Sequence, residues 1–320
     1  MEEARTWRVD AGGPASLPAS PTSRRVAELD GLRGLAAIAI VLFHVRPTWL
    51  PGGWLAVDLF FVLSGFLITS ILIEHGQRPG FTRAFYIRRG LRIWPIYVLT
   101  ILALAALAAW LPRRCRWSGL WTTLTYTQFV PLDWGGKAKL FSGYLPHTWT
   151  LAIEEQFYLV WPLLALAVGR RALPWAAVVL VIASAVLRAQ GWSTMTLLGR
   201  LDGLAMGGVL ATLLHARPVW RDRALVGSLS VGLLGIAGLA SAGGPIQPIL
   251  PARWPGLWVT LFNLAAFGLV GLLATRSGAR WLAPIRCSAL IYLGKISYGI
   301  YLYHVVILFL LSIATIYPKR

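Results

Sequence analysis

Residues 29–44 read LDGLRGLAAIAIVLFH, an apolar run with an acid and an arginine at its start and a histidine near its end. The run predicts a first helix over 31–45. Arg33 and His44 are eleven positions apart, about three turns, so their side chains leave from nearly the same face, roughly 16 Å apart along the axis. A basic anchor and a titratable base thus share one seam. An ionisable group placed deep in an apolar helix faces a bundle interior or a cavity and marks a functional path. The plainer alternative is a histidine satisfied by a neighbouring carbonyl.

Outward from this run the whole chain is apolar. Of 320 residues 57% are hydrophobic and only 13% are charged, far from the balance of a soluble domain. Runs near the length that crosses a hydrocarbon core recur almost throughout, which predicts an all-α, polytopic transmembrane bundle with no sizeable soluble part. The formal charge of +18 would suggest nucleic acid in a soluble protein. Here the arginines cluster in short loops between apolar runs, so the charge reads as topology and contact with anionic lipid, with the bilayer and not nucleic acid as partner. Cys115 and Cys287 fall on opposite sides of the membrane in this topology, and no disulfide is expected.

Residues 1–27, rich in Pro, Ser, Ala, Gly and Arg, are expected to form a flexible cytoplasmic tail before a membrane domain over 28–316. Further helices are predicted at 54–73, 91–111, 149–168, 173–188, 201–215, 224–240, 258–275 and 288–313. Residues 75–92 carry Arg78, Arg83, Arg88, Arg89 and Arg92, which places them, and the amino terminus, in the cytoplasm. The mixed segment 112–148 reads as an outer or re-entrant loop. Nine spans would leave the carboxyl terminus outside.

Under this topology His44, Asp58, Glu154 and Glu155 share one depth near the outer side. A histidine beside carboxylates can act as a general base while a carboxylate supports the imidazolium; helix-packing ion pairs are the competing reading. On the inner side Arg88 and Arg92 share a helix face, with Arg89 adjacent and Arg33 at the same level. Guanidinium forks suit phosphate oxygens, although the positive-inside pattern alone explains many loop arginines. Lys295, Ser297, Tyr298, Tyr301, Tyr303 and His304 form a polar stripe on the last helix, able to line a tunnel or to hydrogen-bond between helices. Arg200 and Asp202 open the sixth helix near the outer surface, where packing outweighs a contact to a polar acceptor. No metal site is expected.

Six blocks in order, LDGLRGLAAIAIVLFH (29–44), VDLFFVLSGFLIT (57–69), RRGLRIWP (88–95), HTWTLAIEEQFYLVWPLL (147–164), RLDGLAMGG (200–208) and GKISYGIYLYH (294–304), resemble the acyltransferase 3 family of bacterial membrane acyltransferases. The resemblance implies a multi-pass enzyme of the inner membrane that moves an acyl group from acyl-CoA, a substrate and not a resident cofactor, to a hydroxyl. The acceptor would be a sugar in a surface glycan or lipopolysaccharide, or a glycosylated metabolite such as a macrolide. By position, the family's essential histidine falls on His44, its basic partner on Arg33, its arginine motif on Arg88, Arg89 and Arg92, and its acidic pair on Glu154 and Glu155. The expected mechanism puts the donor's phosphates on the inner arginines and its pantetheine along the first helix. His44 then deprotonates the acceptor, supported by Glu155 or Asp58. Tyr298, Tyr301, His304, Arg200 and Asp202 are expected to line the substrate path. The family pattern has ten spans and an inward carboxyl terminus, so a missing last helix and no appended soluble domain are expected; Thr150 stands where serine is common. A transporter, or a non-catalytic relative that binds at the membrane, are the alternatives.

Overall fold

The computed structural model describes residues 26–110, 119–128, 145–241 and 255–316. The expected tail, Cys115 and most of the 112–148 segment lie outside them. Every regular element among the described residues is helical: α1 Ala27–Val45, α2 Ala56–His75, α3 Phe81–Trp110, α4 Leu120–Leu124, α5 Trp149–Ala189, α6 Leu197–Ala216, α7 Arg221–Ser241, α8 Pro255–Thr275, α9 Ser288–Lys295 and α10 Ser297–Ile316. Five helices are long and apolar enough to cross a membrane, or six if the bent pair α9 and α10 counts as one span. α1 begins with Glu28 and Asp30 and ends on His44, charges placed to offset the helix dipole at both ends.

The tightest pairing is α2 against α6. A Cβ on Gly65 would meet the Leu204 carbonyl, and one on Gly207 would meet the Val62 carbonyl, so only glycine lets the two backbones approach this closely. The first block is used in the same way: Gly34 lies on the Leu290 carbonyl of α9, and Gly294 lies on the carbonyl of Asp30. Glu28, 1% exposed, accepts hydrogen bonds from Ser277 Oγ and the Gly278 amide, both at 2.9 Å. These bonds tie the start of α1 to the end of α8.

Two elements differ from expectation. Residues 81–92 are not a loop but the first three turns of α3, so Arg83, Arg88, Arg89 and Arg92 stand on a helix. Positive-inside charge marks which side of the membrane a residue occupies and says nothing of whether it is helical. The predicted helix over 288–313 is broken at Ile296, where α9 and α10 meet at 74°; α9 is held down by the contact of Gly294 with the backbone of α1. The split between 149–168 and 173–188 is as expected, since α5 turns at Gly169, whose φ of 72° only glycine adopts readily.

Of the 112–148 segment, the described part is fixed to the bundle. Tyr126 stacks on Tyr97 at 4.3 Å between ring centres. Tyr97 donates to the Thr123 carbonyl and Gln156 to the Tyr126 carbonyl.

Candidate functional site

Two cavities meet on α1. The wider, about 1500 Å³, opens between the start of α1 and the ends of α2, α6 and α8; Asp30, Arg33, Glu74, His75, His215 and Arg217 lie on its wall. The narrower, about 100 Å³, is walled by α2, α3, α5 and α10 and is lined by Ser64, Arg89, Thr150, Glu154, Tyr298 and Tyr301, among others. Arg33, Leu67 and Arg92 line both, so two guanidinium-bearing side chains stand where vestibule and inner chamber join. Arg89 lies 3.5 Å above the Tyr158 ring. The Nε atoms of Arg33 and Arg89 are buried without a hydrogen-bond partner, as expected where an anionic group completes a site. Arg88, one residue from Arg89, is exposed and lies on neither cavity. Its neighbours, not Arg88, bring the arginine motif to the site.

The acidic residues do not share one depth. Glu154 accepts a 2.6 Å hydrogen bond from Ser64, which accepts one from Tyr158 at 2.8 Å. Ser64 lies six residues further along α2 than Asp58, about 9 Å at 1.5 Å per residue. Glu155 accepts from Trp94 Nε1 at 2.9 Å, and its other oxygen is buried without a partner. The carboxylate of Asp58, wholly buried, pairs instead with Arg200, which is 3% exposed. Arg200 also donates to the Thr194 carbonyl and lies near the faces of Trp54 and Trp149. Asp202 takes a two-pronged grip from Arg188, at 2.8 and 2.7 Å. Arg200 and Asp202 are thus buried, and each pairs with a residue on another helix; neither lines the cavities. One turn of α6 turns both inward, and the spacing within α6 gives no sign of which distant helix supplies each partner.

His44 stands at the far end of the α1 seam. It is exposed, not deep, because α1 ends one residue later. Its Nδ1 lies 2.9 Å from the Ile40 carbonyl. A ring nitrogen facing a carbonyl at that distance carries the proton, which leaves Nε2 as the basic atom. Among the described residues no carboxylate forms an ion pair with it; the neighbour across the bundle is His304, with ring centres 4.8 Å apart. His304 in turn lies 5.1 Å from His147 and 5.4 Å from Tyr301. The tyrosine hydroxyl accepts from Thr150 at 2.6 Å and donates to the His147 carbonyl at 2.9 Å. Tyr301 therefore closes the narrow chamber on one side and touches the histidine cluster on the other. Among the described residues no group of three or more His, Cys, Asp or Glu is placed to hold a metal ion.

His147 was not singled out from the sequence, although it opens the fourth block. It lies in a short turn before α5, and its pairing with α10 depends on residues 155 positions away. Ser64 and Thr150 were also missed as cavity-lining hydroxyls. Of the polar stripe on the last helix, Ser297, Tyr298 and Tyr301 reach the chamber, while Lys295 and Tyr303 are exposed.

A family model described as an acyltransferase domain matches residues 26–318. The peptidoglycan O-acetyltransferase OatA of Listeria monocytogenes is 35% identical over 148 residues, 43% of this chain and 24% of that protein. A Bacillus subtilis protein provisionally named a peptidoglycan O-acetyltransferase is 34% identical over 149 residues, 44% of this chain and 24% of its own. A Staphylococcus aureus protein provisionally named an O-acetyltransferase is 35% identical over 150 residues, 44% of this chain and 25% of its own. The match spans about a quarter of the length of these curated relatives. No solved structure matches the chain. With the six blocks and a match that runs over nearly the whole chain, this protein belongs to the acyltransferase 3 family of membrane proteins.

Proposed function

We propose that the chain is an O-acyltransferase that takes a short acyl group from acyl-CoA on the cytoplasmic side and places it on a sugar hydroxyl on the outer side of a bacterial cell membrane. The observation that carries this reading is that vestibule and chamber join at Arg33 and Arg92, and that Tyr301 on the far wall of the chamber packs against His304, which in turn packs against His44. The vestibule takes the nucleotide and phosphates, with Arg33 and Arg92 at its throat and Arg89 in the chamber beyond supplying charge-assisted hydrogen bonds. The pantetheine then lies in the chamber along α1 and brings the thioester toward Tyr301. His44 Nε2 accepts the proton of the acceptor hydroxyl as its oxygen attacks the thioester carbonyl; the C–S bond breaks and the thiolate is protonated from water in the vestibule. Glu154, on the chamber wall, holds Ser64, and Glu155, which lines neither cavity, holds Trp94, instead of supporting the imidazolium. Relatives named for peptidoglycan O-acetylation favour a glycan acceptor over a macrolide. This reading keeps the amino terminus inside and nine crossings.

The test is transfer from radiolabelled acetyl-CoA by purified protein in liposomes to a panel of glycans and glycosylated macrolides. Label on an acceptor with the wild type, and none with His44→Ala inserted to the same level, is the expected result. Full transfer by His44→Ala would remove the mechanism.

A further inference from the structure

The wall of the vestibule is of two chemical kinds. Arg33 and Arg92 stand at the throat, while the ends of α2 and α6 present Ser70, Glu74, His75 and His215. Ser70 and Glu74 are four residues apart and so share one face of α2. Phosphates gather at the guanidinium end and are repelled by the carboxylate. The α2–α6 wall therefore suits a ligand group of another kind.

Its hydrogen-bonding capacity says which. His215 Nδ1 lies 2.7 Å from the Ala211 carbonyl and carries the ring proton, so in the neutral ring Nε2 is a lone pair, and it faces Glu74 Oε1 at 3.4 Å. Two acceptors that face each other are satisfied by one N–H reaching between them. A carboxylate takes about four hydrogen bonds, so its other neighbours leave room for that donor. Beside this pair, Ser70 Oγ and His75 Nδ1 are buried without a hydrogen-bond partner, and His75 is 8% exposed. Orphaned polar atoms on a cavity wall are completed by a ligand. Phe66 and Leu214 line the same cavity and offer an apolar face to a flat ring.

Resting on the acyl-CoA reading above, we propose that this wall is the adenine subsite of the donor and that Glu74 determines its specificity for the base. Adenine carries the one N–H donor of the nucleotide, its exocyclic amine, and directly beside it a ring nitrogen that accepts. Glu74 accepts from the amine, and the Ser70 hydroxyl donates to the ring nitrogen. Guanine and hypoxanthine present the reverse order, an oxygen in place of the amine and an N–H in place of the bare nitrogen, and would set that oxygen against the carboxylate. The wall thereby selects an adenine nucleotide as carrier of the acyl group. The arginines cannot make that choice, because they hold the phosphates of any nucleotide.

Isothermal titration of the full chain in nanodiscs decides the matter, with CoA and with a CoA analogue whose base is unsubstituted purine, which lacks the amine and keeps the ring nitrogen. The wild type is expected to bind CoA about 10- to 100-fold more tightly than the analogue, the range of one hydrogen bond to a charged group. In Glu74→Ala that ratio is expected to fall to about 1, because the group that reads the amine is gone. Ser70→Ala and Arg33→Ala are expected to weaken both ligands alike and to keep the ratio, since both ligands retain the ring nitrogen and the phosphates. Equal binding of the two ligands by the wild type would overturn the proposal and leave the acyl-CoA reading standing, as would a ratio in Glu74→Ala as large as the wild type's. A monodisperse wild type that binds neither ligand would overturn the acyl-CoA reading and the adenine subsite with it. The wild-type comparison needs no variant, so misfolding of Glu74→Ala would not shield the proposal.

Discussion

Replacing Asp58 separates a counter-ion from a catalytic group. Its carboxylate is fully buried and its partner Arg200 is 3% exposed, so Asp58→Ala leaves a guanidinium in the bundle with one backbone acceptor, Thr194, and the faces of Trp54 and Trp149. Breaking a buried ion pair by removing one partner costs about 3–5 kcal/mol, because an uncompensated charge remains. The tryptophan faces already contact Arg200 in the wild type and offset none of it, so the expected loss stays at about 3–5 kcal/mol. At roughly 2–4 °C per kcal/mol for a large domain, the variant should melt several degrees or more below the wild type. The assay is the fraction of detergent-solubilised protein that stays monodisperse by size-exclusion after stepwise heating. Removing both charges, Asp58→Leu with Arg200→Met, should recover most of the loss, since a hydrophobic pair replaces a buried ion pair at little cost. If Asp58→Ala melted like the wild type yet lost transfer, the carboxylate would belong to the chemistry and the argument from burial would fail.

Three further outcomes follow from the same contacts. Arg33→Ala or Arg89→Ala should weaken acetyl-CoA binding about 10- to 100-fold, the equivalent of one charge-assisted hydrogen bond of about 1.5–3 kcal/mol. Arg88→Ala, at an exposed position off both cavities, should change it less than 2-fold by roughly the 0.5 kcal/mol expected of a surface site; isothermal titration with CoA reads all three. Gly65→Ala should reduce the yield of monodisperse protein sharply, since its Cβ would meet the Leu204 carbonyl, while Gly90→Ala, which meets nothing within 4 Å, should be neutral or stabilising in the same preparation. Tyr301→Phe removes the hydroxyl that links Thr150 to the His147 carbonyl; it should lower thermal stability by about 1–2 kcal/mol, read by the same heating series.

Arg89, Arg92 and Tyr301 line the chamber and His44 lies beyond it, and all four were marked by residue type and spacing. Where expectation failed, the missing quantity was a partner. Arg88 and Arg89 are neighbours in a basic run, and only the facing of α3 toward Tyr158 decides that Arg89 is the one turned in. Arg200 and Asp202 sit two residues apart and look like partners; the turn of α6 sends one to Asp58 on α2 and the other to Arg188 on α5.

The sequence by itself determined the helical class, the two ends of the α1 seam and the family, because apolar periodicity, the spacing of Arg33 and His44 and the order of six blocks are local properties of the chain. It also marked the break in α5 through Arg170 and Arg171 after the run 149–168, and the structure puts the turn at Gly169. Only the tertiary structure decided that α9 and α10 part at Ile296, that the vestibule meets the chamber at Arg33 and Arg92, and that among the described residues the ring beside His44 is that of His304, followed by His147. The physical reason is one of range: backbone conformation responds to neighbours a few residues away, whereas the partner of a buried charge is set by packing between helices, 142 residues apart in sequence for Arg200 and Asp58.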